Sequence, residues 1–306
     1  MLSVKHTAKI TLLLVGVFLL AQVIGLLVIQ SYIDVQQTQQ TGQVTFEELP
    51  LGIQRPQIEE DYSFVYIMVA VLIGTLMLLV LIYFKFYRIW KIWYGFAIFV
   101  ALTIAFGAFV DTRFGAFIDA RIAMGLALVV MLWKVLRPNV FIHNFGELFI
   151  YGGLASIFVP IMNEFAAVML LLLISLYDMY AVWKSKHMVA LAQFQTESNM
   201  FAGFYVPYSL PNARIEKKAK SVRKVETTQV KSAILGGGDI AFPLLFSGAV
   251  FKVYGLHLTL IISLTAALAL LGLLTFGKKD RFYPAMPFLS VGCLVGYGII
   301  LLVHYL

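Results

Sequence analysis

Nine runs of predominantly apolar residues, each close to the 20 or so needed for a spanning helix, fix what this chain can become. They cover residues 10–30, 63–84, 92–110, 117–136, 141–161, 164–184, 232–252, 256–276 and 284–304. Arg121 marks one edge of the fourth, and His143, Asn144 and Glu147 interrupt the fifth. With 61% hydrophobic and 13% charged residues, the composition lies far from that of a soluble domain. The expectation is an all-α membrane protein, a polytopic bundle of nine transmembrane helices.

The basic residues test the topology. With the N-terminus inside, 19 of the 23 Lys and Arg residues fall in inner segments, leaving Arg55, Arg113, Arg121 and Lys252 outside. That asymmetry obeys the positive-inside rule, so an N-terminus in the cytoplasm and a C-terminus outside are expected. The same asymmetry accounts for the net charge of +7, and no nucleic-acid partner is implied. The first span reads as a retained helix. Its apolar run exceeds that of a signal peptide, and no small-x-small cleavage site follows it. A single cysteine, Cys293, excludes an intrachain disulfide and a thiolate metal cluster.

Two segments are too polar to span. Residues 31–62, rich in Gln and Glu, read as an outer loop that is partly disordered. Residues 185–231 form the largest inner loop. Its basic run (Arg214, Lys217, Lys218, Lys220, Arg223, Lys224) lies near anionic lipid headgroups and sets topology. The aromatic, proline-punctuated stretch before it, from Phe194 to Pro211, is free to dock against the bundle or the interface and demands no chemical role.

Against this apolar background two aspartates stand out. Asp178 ends the run Phe165 to Tyr177, and Asp239 follows Gly236, Gly237 and Gly238. A charge at the centre of a bilayer costs roughly 2.5–3.5 kcal/mol on insertion scales, so intramembrane acids point to function. If the sixth and seventh spans are antiparallel neighbours, the carboxylates lie roughly 9 and 10 Å below the same inner surface. Two carboxylates that close cannot both ionise and share a proton instead. One then serves as general base on a water while the other, protonated, polarises a scissile carbonyl. The glycines allow close backbone approach, and Pro243 removes a helix hydrogen bond nearby. Tyr283-Pro284-Ala285-Met286-Pro287 opens the ninth span at the same face, where unpaired backbone groups can line the site or simply start a helix.

Tyr177-Asp178, Gly236-Gly237-Gly238-Asp239 and Pro284-Ala285-Met286-Pro287, in that order on the sixth, seventh and ninth spans, resemble the YD, GxGD and PAL signatures of presenilins and signal peptide peptidases. The orientation and Pro287 resemble presenilins more than signal peptide peptidases, the short chain looks most like the archaeal presenilin homologues, and Met286 stands where the family has leucine. The resemblance implies an intramembrane aspartyl protease of the GxGD type, with Asp178 and Asp239 as its catalytic dyad. Tyr177 and Gly236 to Gly238 would shape the site, while Pro284, Ala285, Met286 and Pro287 would seat the substrate. It implies single-pass transmembrane substrates cut near the cytoplasmic end, no cofactor and no metal. The cell membrane is the expected location. The chain then divides into a six-span part (1–184), the basic loop (185–231) and a three-span part (232–306), forming one unit with the site between the two helical parts. Activity as a single chain is expected, and a homo-oligomer is compatible with the sequence.

Other polar residues have plainer readings. His143 and Glu147, at i, i+4, suit interhelical hydrogen bonding or a boundary position. Asp111, Arg113, Asp119 and Arg121 suit surface pairs, His257 an outer helix end, and Trp90, Trp93 and Trp183 interface belts. The second functional reading is a proton- or cation-coupled transporter, which also uses intramembrane acids and broken helices. It lacks a visible inverted repeat. A prepilin-peptidase-like enzyme shares GxGD without the ninth-span motif, and a non-catalytic scaffold would not need both acids.

Overall fold

The computed structural model describes residues 8–110, 116–137, 139–185, 201–207, 232–277 and 283–305. The basic run 214–224, Asp111, Arg113 and Phe194 lie outside them. The helices are α1 (Ala8–Ser31), α2 (Val35–Thr41), α3 (Ser63–Tyr83), α4 (Tyr87–Gly107), α5 (Ala116–Leu136), α6 (Val140–Phe158), α7 (Glu164–Tyr180), α8 (Gly237–Phe276) and α9 (Met286–Tyr305). Two strands, β1 (Gly203–Pro207) and β2 (Ser232–Gly236), pair antiparallel.

At 1.5 Å per residue, the 40 residues of α8 would extend about 60 Å, twice the thickness of a hydrocarbon core. The chain breaks the helix at Gly255, whose φ of 74° and ψ of 176° are open to glycine and costly for other residues. The two halves are the expected seventh and eighth spans. Among the described residues seven helices are long and apolar enough to cross a membrane, α8 being one of them. Its division at Gly255 gives two helical halves, and α5 adds a further helix of 21 residues. Only 11% of the apolar window of α3 is buried, against 56% for α4, so α3 turns most of its apolar surface to lipid.

Helices α1, α6, α7, α8 and α9 share one core with β1, around Phe18, Leu170, Phe204, Leu244 and Phe246. A second cluster joins α4, α5 and α6 through Leu102, Ala123, Ala127 and Ile150. Trp90 belongs to that cluster at 3% exposure, so it is a core residue and not part of an interface belt. In lipid, helices gain little from burying apolar surface, and close packing at small residues holds them together. Gly153 of α6 is the extreme case, since a Cβ there would fall 1.9 Å from the carbonyl oxygen of Ala101 on α4. Gly153→Ala is expected to cost about 1–3 kcal/mol through overpacking. A lowered thermal midpoint in detergent checks this, and an unchanged midpoint would mean that α4 and α6 can separate freely.

Two expectations need correcting. The outer loop is ordered: Asp34 accepts from Gln37 N–H at 2.9 Å to cap α2, and Ile33 bridges Phe46. Arg55 donates to the carbonyls of Ser156 (3.2 Å) and Glu47 (2.7 Å), while Tyr32 donates to Ile104 O at 2.6 Å. These contacts fix the loop on α4 and α6. Second, residues 232–236 are strand and not the start of the seventh span. Phe204, Val206, Ala233 and Leu235 are buried while Ile234 is 50% exposed, the period-two pattern of a half-buried strand.

Candidate active site

Strand β2 runs directly into α8. Gly236 is the N-cap in extended conformation, so Gly237, Gly238 and Asp239 occupy the first three helical positions. From the third position an acid can reach back to the N-cap amide, and Asp239 does so, hydrogen-bonding the backbone of Gly236. A Cβ on Gly236 would lie 3.2 Å from Asp239 Oδ2. The carboxylate therefore sits at the positive end of a helix. Gly237 allows a close approach, since its Cβ would meet the Tyr151 hydroxyl at 2.9 Å. Its N–H donates to Ala202 O at 3.1 Å. On the far side Gln22 of α1 donates to Ile240 O at 2.9 Å. Asp239 is thus at a helix start and not seven residues within a span.

Asp178 lies in the last turn of α7, just before the wider turn Ala181–Ser185. Its Oδ2 accepts the N–H of Met286 at 3.0 Å, and the backbone of Ala285 also hydrogen-bonds the carboxylate. These amides open α9, so this acid too meets a helix N-terminus. Pro284 and Met286 are buried, Ala285 and Pro287 half-buried. One turn on, the hydroxyls of Ser175 and Ser290 lie 2.8 Å apart and tie α7 to α9. Tyr177 donates to Thr75 Oγ1 on α3 at 3.1 Å. Both aspartates are half-buried, and Asp178 is close enough for its charge to act on Asp239. Beside Pro287 an apolar groove of about 620 Å³ opens between the end of α8 and the start of α9, lined by Leu273, Phe276, Tyr283 and Val291.

Docking of part of the aromatic stretch on the bundle is among the sequence-based expectations, whereas its pairing as a strand and its polar anchors are not. Three side chains of α6 grasp β1. His143 Nε2 donates to Gly203 O at 2.7 Å, and Asn144 both donates to Tyr205 O (2.9 Å) and accepts from Tyr205 N–H (3.0 Å). Glu147 Oε2 accepts Gly203 N–H at 3.0 Å. Lys134 of α5 and the Tyr151 hydroxyl also donate to Glu147. Tyr94 of α4 donates to Phe201 O at 2.7 Å. Of these contacts the Lys134–Glu147 pair joins two helices as expected, whereas the others reach β1 and its approach. The usable signal was the presence of three polar residues within one apolar span. Among the described residues no three His, Cys, Asp or Glu side chains gather as a metal site would require.

A family model described as signal-peptide peptidase, presenilin aspartyl protease matches residues 15–305. No curated protein matches the chain. Two solved structures of a presenilin family intramembrane aspartate protease share its fold. The one in space group C222 has a TM-score of 0.63 at 20% identity, covering 96% of this chain and 99% of the other. The one in P2 has the same score and identity, over 95% and 97%. None of these likenesses is to a transporter.

Proposed function

Because the chain belongs to the signal-peptide peptidase and presenilin family of aspartyl proteases, we propose that Asp178 and Asp239 are its catalytic pair. The protein is an intramembrane endopeptidase, embedded in a lipid bilayer and acting on membrane proteins. In the proposed mechanism one carboxylate takes a proton from water, whose oxygen adds to the scissile carbonyl carbon. The other carboxyl donates its proton to the carbonyl oxygen, giving a neutral tetrahedral diol. Collapse of the diol breaks the C–N bond as the carboxyl that took the water's proton gives it to the leaving nitrogen, while the other carboxylate takes a proton from a diol hydroxyl. No cofactor enters this cycle.

One observation carries the reading. Two acids 61 residues apart in sequence, on separate helices, lie within electrostatic reach, each on main-chain amides at the start of a helix. Gly237 shapes the site by letting Tyr151 and Ala202 approach, Gly236 leaves room for the Asp239 carboxylate, Gly238 completes the turn between them, and Tyr177 steadies α7 against α3. The amides of Ala285 and Met286 hold Asp178, Pro284 and Pro287 flank them, and this segment, with Pro287 on the wall of the groove, seats the substrate. A substrate helix must unwind before water reaches its backbone, and its freed amides then need partners. Strand β2 leads straight to Asp239 and has β1 as its strand neighbour among the described residues.

The finer reading takes single-pass proteins as substrates, cut near the cytoplasmic end in the cell membrane. It has the N-terminus inside, the C-terminus outside, and the site between residues 1–184 and 232–306, joined by 185–231. One chain suffices for activity, and a homo-oligomer is compatible with it. The test is incubation of the purified chain in liposomes with single-span peptides and hydroxylamine. Fragments ending in free carboxylates are expected, since water attacks directly. A hydroxamate would reveal an acyl-enzyme, and failure to cut any single-span peptide would remove the substrate class.

A further inference from the structure

We propose that Glu147 is a positioning residue that sets the placement of Asp239 jointly through strand β1 and the Tyr151 hydroxyl, both being required, without touching substrate. The inference rests on the catalytic reading of Asp239. Glu147 is 1% exposed and receives three donors, namely the Lys134 ammonium, the Tyr151 hydroxyl and the N–H of Gly203. Tyr94, His143 and Tyr151 also lie within reach of its charge.

From this point two short routes lead to the catalytic turn. Gly203 is the β partner of Gly236, and the neighbouring Ala202 carbonyl accepts Gly237 N–H at 3.1 Å. Along the second route, the Tyr151 hydroxyl held by Glu147 occupies the space beside Gly237 that a side chain would fill. Asp239 follows two residues later and folds back on Gly236. A shift of β1 along α6 therefore moves the N-cap on which the Asp239 carboxylate is hydrogen-bonded.

Stability alone gives little reason for this arrangement. A buried ion pair replaced by packed apolar side chains is often as stable or more so. What the carboxylate provides is direction: its oxygens fix one strand amide and one hydroxyl at once. His143 and Asn144 hold the same strand from the same helix face, at Gly203 O and at both main-chain groups of Tyr205.

The experiment measures kcat, KM and the pH–rate profile on a single-span peptide in liposomes for four proteins besides the wild type. They are the double variant Lys134→Met/Glu147→Leu, the double variant Lys134→Gln/Glu147→Gln, Tyr151→Phe, and Asp239→Asn. Loss of folded enzyme scales a profile down without changing its shape, whereas a displaced Asp239 alters the shape. The Met/Leu variant is expected to keep its thermal midpoint and KM while losing on the order of 10- to 100-fold in kcat with a changed profile. The Gln/Gln variant, which retains an acceptor for Gly203 N–H, should regain part of the loss. A well-folded Met/Leu variant with wild-type kcat and profile would overturn the proposal. Should that variant not fold, Tyr151→Phe decides, because it keeps both charges and the ring. A changed profile supports the proposal, and wild-type behaviour in kcat and shape overturns it. Asp239→Asn separates the two readings. If it is inactive while the Glu147 variants behave as wild type, positioning alone fails; if it is fully active, the catalytic reading falls and the inference with it.

Discussion

Asp178→Asn and Asp239→Asn are each expected to abolish cleavage, with a loss of at least about a thousandfold, the upper range of what a general acid or base contributes. Asparagine is nearly isosteric, and its carbonyl oxygen can still accept from Met286 N–H at position 178 or from Gly236 at 239. The folded state should therefore persist, and thermal midpoints in detergent should match or exceed that of the parent. What disappears is the ability to exchange a proton with water or with the scissile carbonyl. Neither variant can be compensated by its partner, because the cycle uses both groups at once. Product quantified by mass spectrometry from each variant checks this. Cleavage at parental rate by both variants would remove the dyad, and proton-coupled flux lost in both would then favour a transporter.

Gly203→Ala has the second largest expected effect, from a residue that touches neither aspartate. Gly203 adopts a φ of 138°, where a residue with a side chain is strained by about 1–3 kcal/mol. Its Cβ would also fall 2.2 Å from Leu235 O and 2.6 Å from the Phe201 ring. Main chain cannot yield as a flexible side chain does, so the β1–β2 ladder must open where it abuts the catalytic turn. Activity is expected to fall roughly a hundredfold, the scale seen when reacting groups shift by about 1 Å. Gly16→Ala on α1 serves as the control, because nothing lies within 4 Å of the added carbon. Equal activity of the two variants would mean that Asp239 is held without β1.

The helical passes were legible in the sequence because lipid imposes a minimum length of apolar chain, and that length is written locally. Both aspartates were legible for the same reason, as charges in apolar surroundings. The strand at 232–236 was not. Ser-Ala-Ile-Leu-Gly suits a helix end as well as a strand, and a short apolar run cannot be told apart by periodicity. Its partner lies some thirty residues earlier, and the pairing is by main chain. The α6 grip was hidden likewise, since His143, Asn144 and Glu147 bind strand amides and carbonyls that any sequence possesses. The order of the outer loop was missed because glutamine-rich composition masked its anchors. Buried Leu49 and the Tyr32 hydroxyl hold it down.

Main chain also governs the other acid, and this bears on which residues at the start of α9 are free to vary. Ala285 and Met286 serve Asp178 through their amides, which no side-chain substitution other than proline removes. A methionine in place of leucine thus leaves the carboxylate's partners unaltered and changes only the filling of the core. The two flanking prolines are bound differently, since they lack the donor and set where the run of amides begins. Spelling at this corner of the protein can drift in its middle letters while the recognition of a carboxylate stays constant, because the groups that do the recognising are not encoded by side chains.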